Sequence, residues 1–283
     1  MPLDYDHLIA SAVTDAEYSY NDNDAMLYAM AVGFGSDPMD MRELPYVYEK
    51  NLHTVPTLAT IVAAEPFLAD CGWDYTQLLH GQQSLDLYRP LPPSAHIVAS
   101  HRVVAAYDKG PGKAAIISVA TDARLKKDDT ALFSLGSTLI ARGDGGFGGP
   151  PGSPPPPHRL PDRQPDLSCD IVVRPDQALL YRLCGDRNPL HVDPAVAGKA
   201  GFPQPILHGL CSYGIACRAI LKTICDYDFT LIAGFDARFS APVIPGDILT
   251  TEMWQERNVV SFQCRVKARD VVVIKNGKCT LAA

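Results

Sequence analysis

Eight of the chain's 24 prolines fall between Pro150 and Pro165. The run Pro150-Pro151-Gly152-Ser153-Pro154-Pro155-Pro156-Pro157 has too few N–H donors for a helix or a central strand. It predicts an extended, polyproline-II-like linker. The two sides of this linker look alike. Asp24-Ala25-Met26-Leu27-Tyr28-Ala29-Met30 precedes Gln177-Ala178-Leu179-Leu180-Tyr181-Arg182-Leu183 by 153 positions, and Arg89-Pro90-Leu91-Pro92-Pro93 precedes Ala241-Pro242-Val243-Ile244-Pro245 by 152. A near-constant offset at two separated places points to one unit of about 130 residues used twice. The predicted organisation is a repeat over 1–149, the linker over 150–166 and a second repeat over 167–283.

Each half follows the same order. A short apolar helix is predicted over 25–32 and again over 178–184. A longer helix follows over 57–69 and over 210–224, with Gly209 at the start of the second. β-Branched runs then predict strands over 84–88, 97–107, 114–125 and 131–141, and over 231–239, 248–254, 259–268 and 271–281. The Asn276-Gly277 pair predicts a tight turn. Helices ahead of a block of consecutive strands make an α+β fold with antiparallel sheet.

The composition excludes several functions. A net charge of −7 argues against a dedicated nucleic-acid binder. No run reaches the ~18 apolar residues of a membrane span. The segment Met1-Pro2-Leu3-Asp4-Tyr5-Asp6-His7 lacks the pattern of a secretory leader, and Cys279-Thr280-Leu281-Ala282-Ala283 is no Ser-Lys-Leu-type address, so a cytoplasmic location is expected. The cysteines at 71, 169, 184, 211, 217, 225, 264 and 279 contain no C-x-x-C spacing, which points to reduced structural thiols. No resident cofactor or metal is expected.

One stretch carries chemistry: Gly185-Asp186-Arg187-Asn188-Pro189-Leu190-His191. Asn188-Pro189 favours a turn, which can face the carboxyl of Asp186 and the imidazole of His191 into one small space. Such a pair suits proton transfer. Asn188 is placed to orient a water or fix the carboxylate. Downstream, Pro205-Ile206-Leu207-His208-Gly209-Leu210 leads into the long helix, whose first N–H groups lack partners. Gly209 there would let a carbonyl oxygen approach the helix start, as in an oxyanion hole.

These two motifs closely resemble the hydratase 2 motif of MaoC-like (R)-specific enoyl-CoA hydratases. Leu79-His80-Gly81, Tyr107-Asp108-Lys109-Gly110, Gly145-Gly146-Phe147-Gly148-Gly149 and Ala237-Arg238-Phe239 resemble the double-hot-dog form of that family, which includes the hydratase 2 unit of peroxisomal multifunctional enzyme type 2. The resemblance implies two tandem hot-dog folds, each a long helix wrapped by an antiparallel sheet. It implies an enzyme, a hydro-lyase adding water to trans-2-enoyl-CoA to give (3R)-3-hydroxyacyl-CoA. Coenzyme A is then part of the substrate, and a homodimer is a common form. Asp186 and His191 match the catalytic pair, with Asn188 between them and Gly209 as donor to the thioester oxygen. His80, Gly81, Lys109, Asp186, Arg187, Asn188, Pro189, Leu190, His191, Gly209 and Phe239 match positions lining the acyl-CoA site, and Lys109 would hold a coenzyme A phosphate. His80 and His208 are expected to be mainly structural, and Glu49 to have a supporting role. Gln82 departs from the glutamate of many relatives.

The first repeat reads Val32-Gly33-Phe34-Gly35-Ser36-Asp37-Pro38 where the second has the catalytic turn. It is expected to keep the fold without the chemistry and to support the acyl tail. Pro66 is expected to loosen helix 57–69 and leave room for chains longer than about eight carbons. Three alternatives use related ligands: a hot-dog thioesterase, a non-catalytic acyl-CoA-binding module, and a dehydratase acting on carrier-protein substrates.

Overall fold

Gln82 pairs antiparallel with Arg238, and Asp86 with Gly234, so a strand of each repeat joins the other edge to edge. The structure is a computed structural model that describes residues 3–64, 67, 68, 70–73 and 77–282. Among them ten strands form one sheet: β1 (Ala12–Tyr20), β2 (Leu78–Leu87), β3 (Ala95–Asp108), β4 (Ala115–Leu125), β5 (Ala131–Ala141), β6 (Leu167–Val172), β7 (Ile232–Phe239), β8 (Ile248–Glu256), β9 (Val259–Val266) and β10 (Val271–Leu281). Their order is β1-β3-β4-β5-β2-β7-β10-β9-β8-β6. Outward from the β2–β7 join, each half runs through its second, fifth, fourth, third and first strand. The duplication read from the sequence is thus also a duplication of topology.

Among the described residues seven α-helices accompany the sheet: α1 (Tyr5–Ala10), α2 (Asp22–Ala31), α3 (Leu44–Val47), α4 (Ala59–Val62), α5 (Gln177–Tyr181), α6 (Pro194–Lys199) and α7 (Gly209–Thr223). Helix α2 begins with a capping box, Asn21 and Asp24 exchanging hydrogen bonds with each other's backbone N–H. Helix α7 is buried continuously from Cys211 to Leu221. It therefore forms the centre of the second half, packed on β6, β7 and the turn Pro56–Leu58 of the first half.

The expected helix over 57–69 is not formed. The segment makes a 3-10 turn at Pro56–Leu58 and the single turn of α4, capped at Ala63. In a continued helix a proline at 66 would have no N–H to offer the carbonyl of residue 62, and its ring would crowd that carbonyl. Pro66 and Ala69 themselves lie outside the described residues. The strands β1 and β6 were not expected. Both are sheet edges, and in β1 the alternation of Val13, Ala16, Tyr18 and Tyr20 is broken by a bulge between Val13 and Ala16.

Asn276-Gly277 is not a hairpin turn either. It lies inside β10, at a bulge where the register with β7 shifts between Lys275 and Lys278. The Phe262 ring lies over Gly277, and a Cβ there would come within 2.6 Å of it. The pair that promises a turn in sequence here accommodates an aromatic ring and a bulge.

The linker runs across the outer face of the sheet. His158 bonds Ser261 through its ring and accepts from Asn276 through its carbonyl, and Trp254 Nε1 donates to the Arg163 carbonyl. Residues 154–158 roof a cavity of about 320 Å³ lined by Gln82, Ser84, Ser118, Asp236 and Arg238.

Candidate active site

Gly185 ends the short helical stretch after α5 with φ 135°, a backbone angle open to glycine. Asp186 follows, exposed. Its carboxylate accepts the Asn188 N–H at 3.1 Å, and the Asn188 side chain accepts the Leu190 N–H at 3.0 Å, capping the 3-10 turn Pro189–His191. Pro189 starts that turn where its missing N–H costs nothing. Asn188 thus fixes the carboxylate through its backbone, while its side chain closes the turn. Arg187 and Pro189 are exposed, and Leu190 is half-buried.

His191 is buried. Its Nδ1 donates to the Ile206 carbonyl at 2.8 Å, which leaves Nε2 as the basic nitrogen. A carboxylate oxygen of Asp186, a ring nitrogen of His191 and one of His208 lie within 4.8 Å of one another. One water can bridge such a gap. Burial pushes the His191 pKa below the ordinary histidine value, opposed by the Ile206 carbonyl and Asp186. The turn therefore presents a neutral imidazole beside a carboxyl at pH 7.

Gly209 is the first residue of α7, and no side chain caps that helix start. Its leading N–H groups thus remain available to an acceptor, with the positive end of the helix dipole behind them. The Phe239 ring packs on Gly209, 3.4 Å from where a Cβ would be. Phe239 also meets His80, ring centroids 5.2 Å apart. A register shift between His80 and Gln82 puts these two residues on opposite faces of the sheet, where plain alternation would put them on one. His80 reaches the Phe239 side; Gln82 lines the cavity under the linker. Burial pushes the His80 pKa down to about 4, opposed by the Gln82 carbonyl and by Asp186. The β2–β7 join thus carries residues of both repeats to the start of α7.

Lys109 is held elsewhere. Its ammonium donates to the Gly152 carbonyl and to Ser153 Oγ, both in the linker. Asp108 beside it accepts N–H bonds from Gly110, Gly146 and Gly148, at 2.7, 2.7 and 3.0 Å. The glycine-rich segment is folded around this carboxylate, whose pKa those bonds lower. Glu49 is exposed; the buried glutamate of this region is Glu43. Sequence reasoning missed both Asp108 and Glu43, and it undervalued His208. The structure places His208 against the pair: its ring stacks on His191, centroids 3.7 Å apart, and its Nε2 donates to the Asp186 carbonyl at 3.2 Å. The sequence signal was present as a histidine directly before the helix-starting glycine.

The chain is similar to known proteins along most of its length. Residues 18–143 match the family described as MFE-2 hydratase 2 N-terminal domain, and residues 158–277 match the MaoC like domain. Enoyl-CoA hydratase ChsH3 of Mycobacterium tuberculosis is 39% identical, over 98% of each chain. The chain belongs to the MaoC-like hydratase 2 family. A further member, the peroxisomal enoyl-CoA hydratase 2 of Arabidopsis thaliana, is 38% identical to this hydratase 2 chain over 95% of it and 93% of the relative. The crystal structure of a MaoC-like dehydratase from Phytophthora capsici superposes with a TM-score of 0.86, at 31% identity over 99% and 98% of the two chains.

In this hydratase 2 chain only the second repeat carries the acid/base turn. At the 152-residue offset, Gly33 corresponds to Gly185, and Phe34 stands where Asp186 would be. Phe34 is buried, and the Arg218 guanidinium lies over its ring, 5.4 Å from the centroid.

Proposed function

We propose that this chain is a (3R)-specific 2-enoyl-CoA hydratase of fatty acyl-CoA metabolism with one active site, formed by Asp186, Asn188, His191 and Gly209. A water held between Asp186 and His191 attacks C3 of a trans-2-enoyl thioester. His191 Nε2, the nitrogen left free by the Nδ1–Ile206 bond, takes the water's proton. That proton is handed on through Asp186 to C2, so one water supplies both the C3 hydroxyl and the C2 hydrogen and both side chains end as they began. Charge developing on the thioester oxygen is met by the Gly209 N–H at the uncapped start of α7. The neutral imidazole and the carboxylate joined in one turn, facing an open helix start, carry this assignment.

The substrate enters past His80, Gly81 and Phe239, and the exposed Arg187 and the Lys109 turn face the coenzyme A end. Lys109 would exchange its linker contacts for a phosphate. The first repeat supports the acyl tail beyond the short helix α4, and chains longer than about eight carbons fit where a full helix 57–69 would otherwise fill space. No metal or cofactor takes part. The stacked rings of His191 and His208 run nearly parallel, 28° apart, so their in-plane lone pairs do not converge on one ion.

Among the described residues no helix is long and apolar enough to cross a membrane. We place the enzyme in the cytoplasm, as a homodimer, with no nucleic-acid partner. Relatives with peroxisomal names make cell fractionation the test of the first point, and light scattering tests the second. The reaction is tested with enoyl-CoA substrates of four to ten or more carbons, following loss of the conjugated thioester beside release of free thiol. Loss without thiol release supports hydration. Stoichiometric thiol release marks a thioesterase, and binding without either marks a non-catalytic module.

A further inference from the structure

His208 has three contacts that a buried histidine at a helix start does not need for packing alone. Its Nε2 donates to the Asp186 carbonyl at 3.2 Å, across 22 residues of chain. One ring face lies on His191 at 3.7 Å, and the Tyr181 ring lies 4.9 Å away. Its Nδ1 is buried with no hydrogen-bond partner.

These contacts fix its state. With Nε2 committed as the donor, a proton on Nδ1 would be a buried N–H without an acceptor, which is costly. His208 is therefore neutral, in the Nε2–H tautomer. Burial, then the neighbouring His191, push its pKa down to about 4, against the pull of Asp186. The other titratable and charged groups around it are Arg182, which adds to the lowering, and Tyr181.

His208 also directly precedes Gly209. One end of this residue thus anchors the turn bearing Asp186 and His191, and the other end is continuous with the helix start that meets the thioester oxygen. The carbonyl that orients His191 belongs to Ile206 in the same short segment. The acid/base pair and the oxyanion donor lie on separate elements, and catalysis needs both at one spacing.

We propose that His208 is a positioning residue: its Nε2–H bond to the Asp186 carbonyl and its stacking on His191 set the spacing between the acid/base pair and the Gly209 N–H. It does not touch the reacting atoms. This rests on the hydratase assignment above. Glutamine can place an amide N–H near the position of Nε2, whereas asparagine reaches only the position of Nδ1.

The test compares His208→Ala, His208→Gln and His208→Asn on trans-2-enoyl-CoA. His208→Ala should lower kcat about 100-fold, the scale of a 1 Å misplacement, with KM little changed. His208→Gln should recover most of kcat, and His208→Asn should not. The acid limb of the rate profile should move up in His208→Ala, because water reaching His191 relieves its burial, and move less in His208→Gln. Equal activities of the glutamine and asparagine variants, a loss confined to KM, or near-normal turnover in His208→Ala would overturn the proposal. If His208→Ala does not fold, the glutamine–asparagine comparison decides. Nitrogen NMR of the unmodified protein gives a readout independent of activity: a neutral Nε2–H tautomer at pH 6 is expected, and an Nδ1–H or doubly protonated ring contradicts the anchor. Should the unmodified protein hydrate no enoyl-CoA, the function falls while this spectrum still judges the contact.

Discussion

Arg218, on the central helix of the second repeat, closes a bidentate ion pair with Glu43 of the first, Nε to Oε1 at 2.8 Å and Nη2 to Oε2 at 2.9 Å. Both are buried. The same carboxylate accepts the Gly35 N–H and the Tyr227 hydroxyl, and Arg218 also donates to Ser36. The pair occupies the region of the first repeat that corresponds to the catalytic turn of the second. There the first repeat carries a lock between the halves.

Removing one partner of this pair leaves the other charged and buried. Arg218→Met or Glu43→Gln should each destabilise the fold by about 3–5 kcal/mol, the usual cost of breaking a buried pair. Denaturant midpoints of both single variants and of the double variant check this. The double variant should be less unstable than the sum of the singles.

The acid/base pair should be indispensable to turnover. Asp186→Asn and His191→Ala should each lower turnover by about 100-fold or more. Asp186 is exposed, so its substitution should leave the melting temperature unchanged. Near-full hydration activity in either variant would remove that residue from the mechanism.

Acid should weaken the fold through two histidines. His80 and His208 have folded pKa values of about 4 against 6.5 for a free side chain. Between these values the unfolded chain binds more protons, so stability falls as pH drops through 6.5 towards 4 and is fully present above 6.5. Melting curves from pH 7.5 to 4.5 should show this decline, and His80→Gln with His208→Gln should flatten it. An unchanged slope would mean that other groups govern acid unfolding.

Chelation should leave the rate untouched. The site's proton chemistry uses Asp186 and His191 through water, and the stacked imidazoles do not converge on an ion. Activity after exhaustive treatment with a strong chelator should equal that of untreated enzyme; a loss restored by zinc or magnesium would sink the water-bridged mechanism.

Much of this was legible in the residues. The repeat offset foretold a repeated order of helices and strands along the chain, though not the edge strands β1 and β6. The turn at Asp186–His191 was legible because proline and asparagine act locally. Contacts between distant segments were not. Glu43 and Arg218 are 175 positions apart, and neither charge signals its burial in sequence. The bulge at Gly81, which turns His80 towards Phe239, depends on register with β5. In edge strand β1 a bulge between Val13 and Ala16 interrupts the alternation that marks a half-buried strand. Helix α4 ends at Val62, ahead of a proline at 66 that a continued helix would not accommodate. Asn276-Gly277 reads as a turn by local propensity, and the Phe262 ring overrode it.

The most direct measurement of the central claim is the configuration at C3 of the product formed from a trans-2-enoyl-CoA, read together with the loss of its conjugated absorbance. Hydration by the Asp186–His191 pair predicts (3R)-3-hydroxyacyl-CoA as the sole product from the unmodified enzyme and almost none from Asp186→Asn. A (3S) product, or free coenzyme A released in proportion to the absorbance lost, would contradict it.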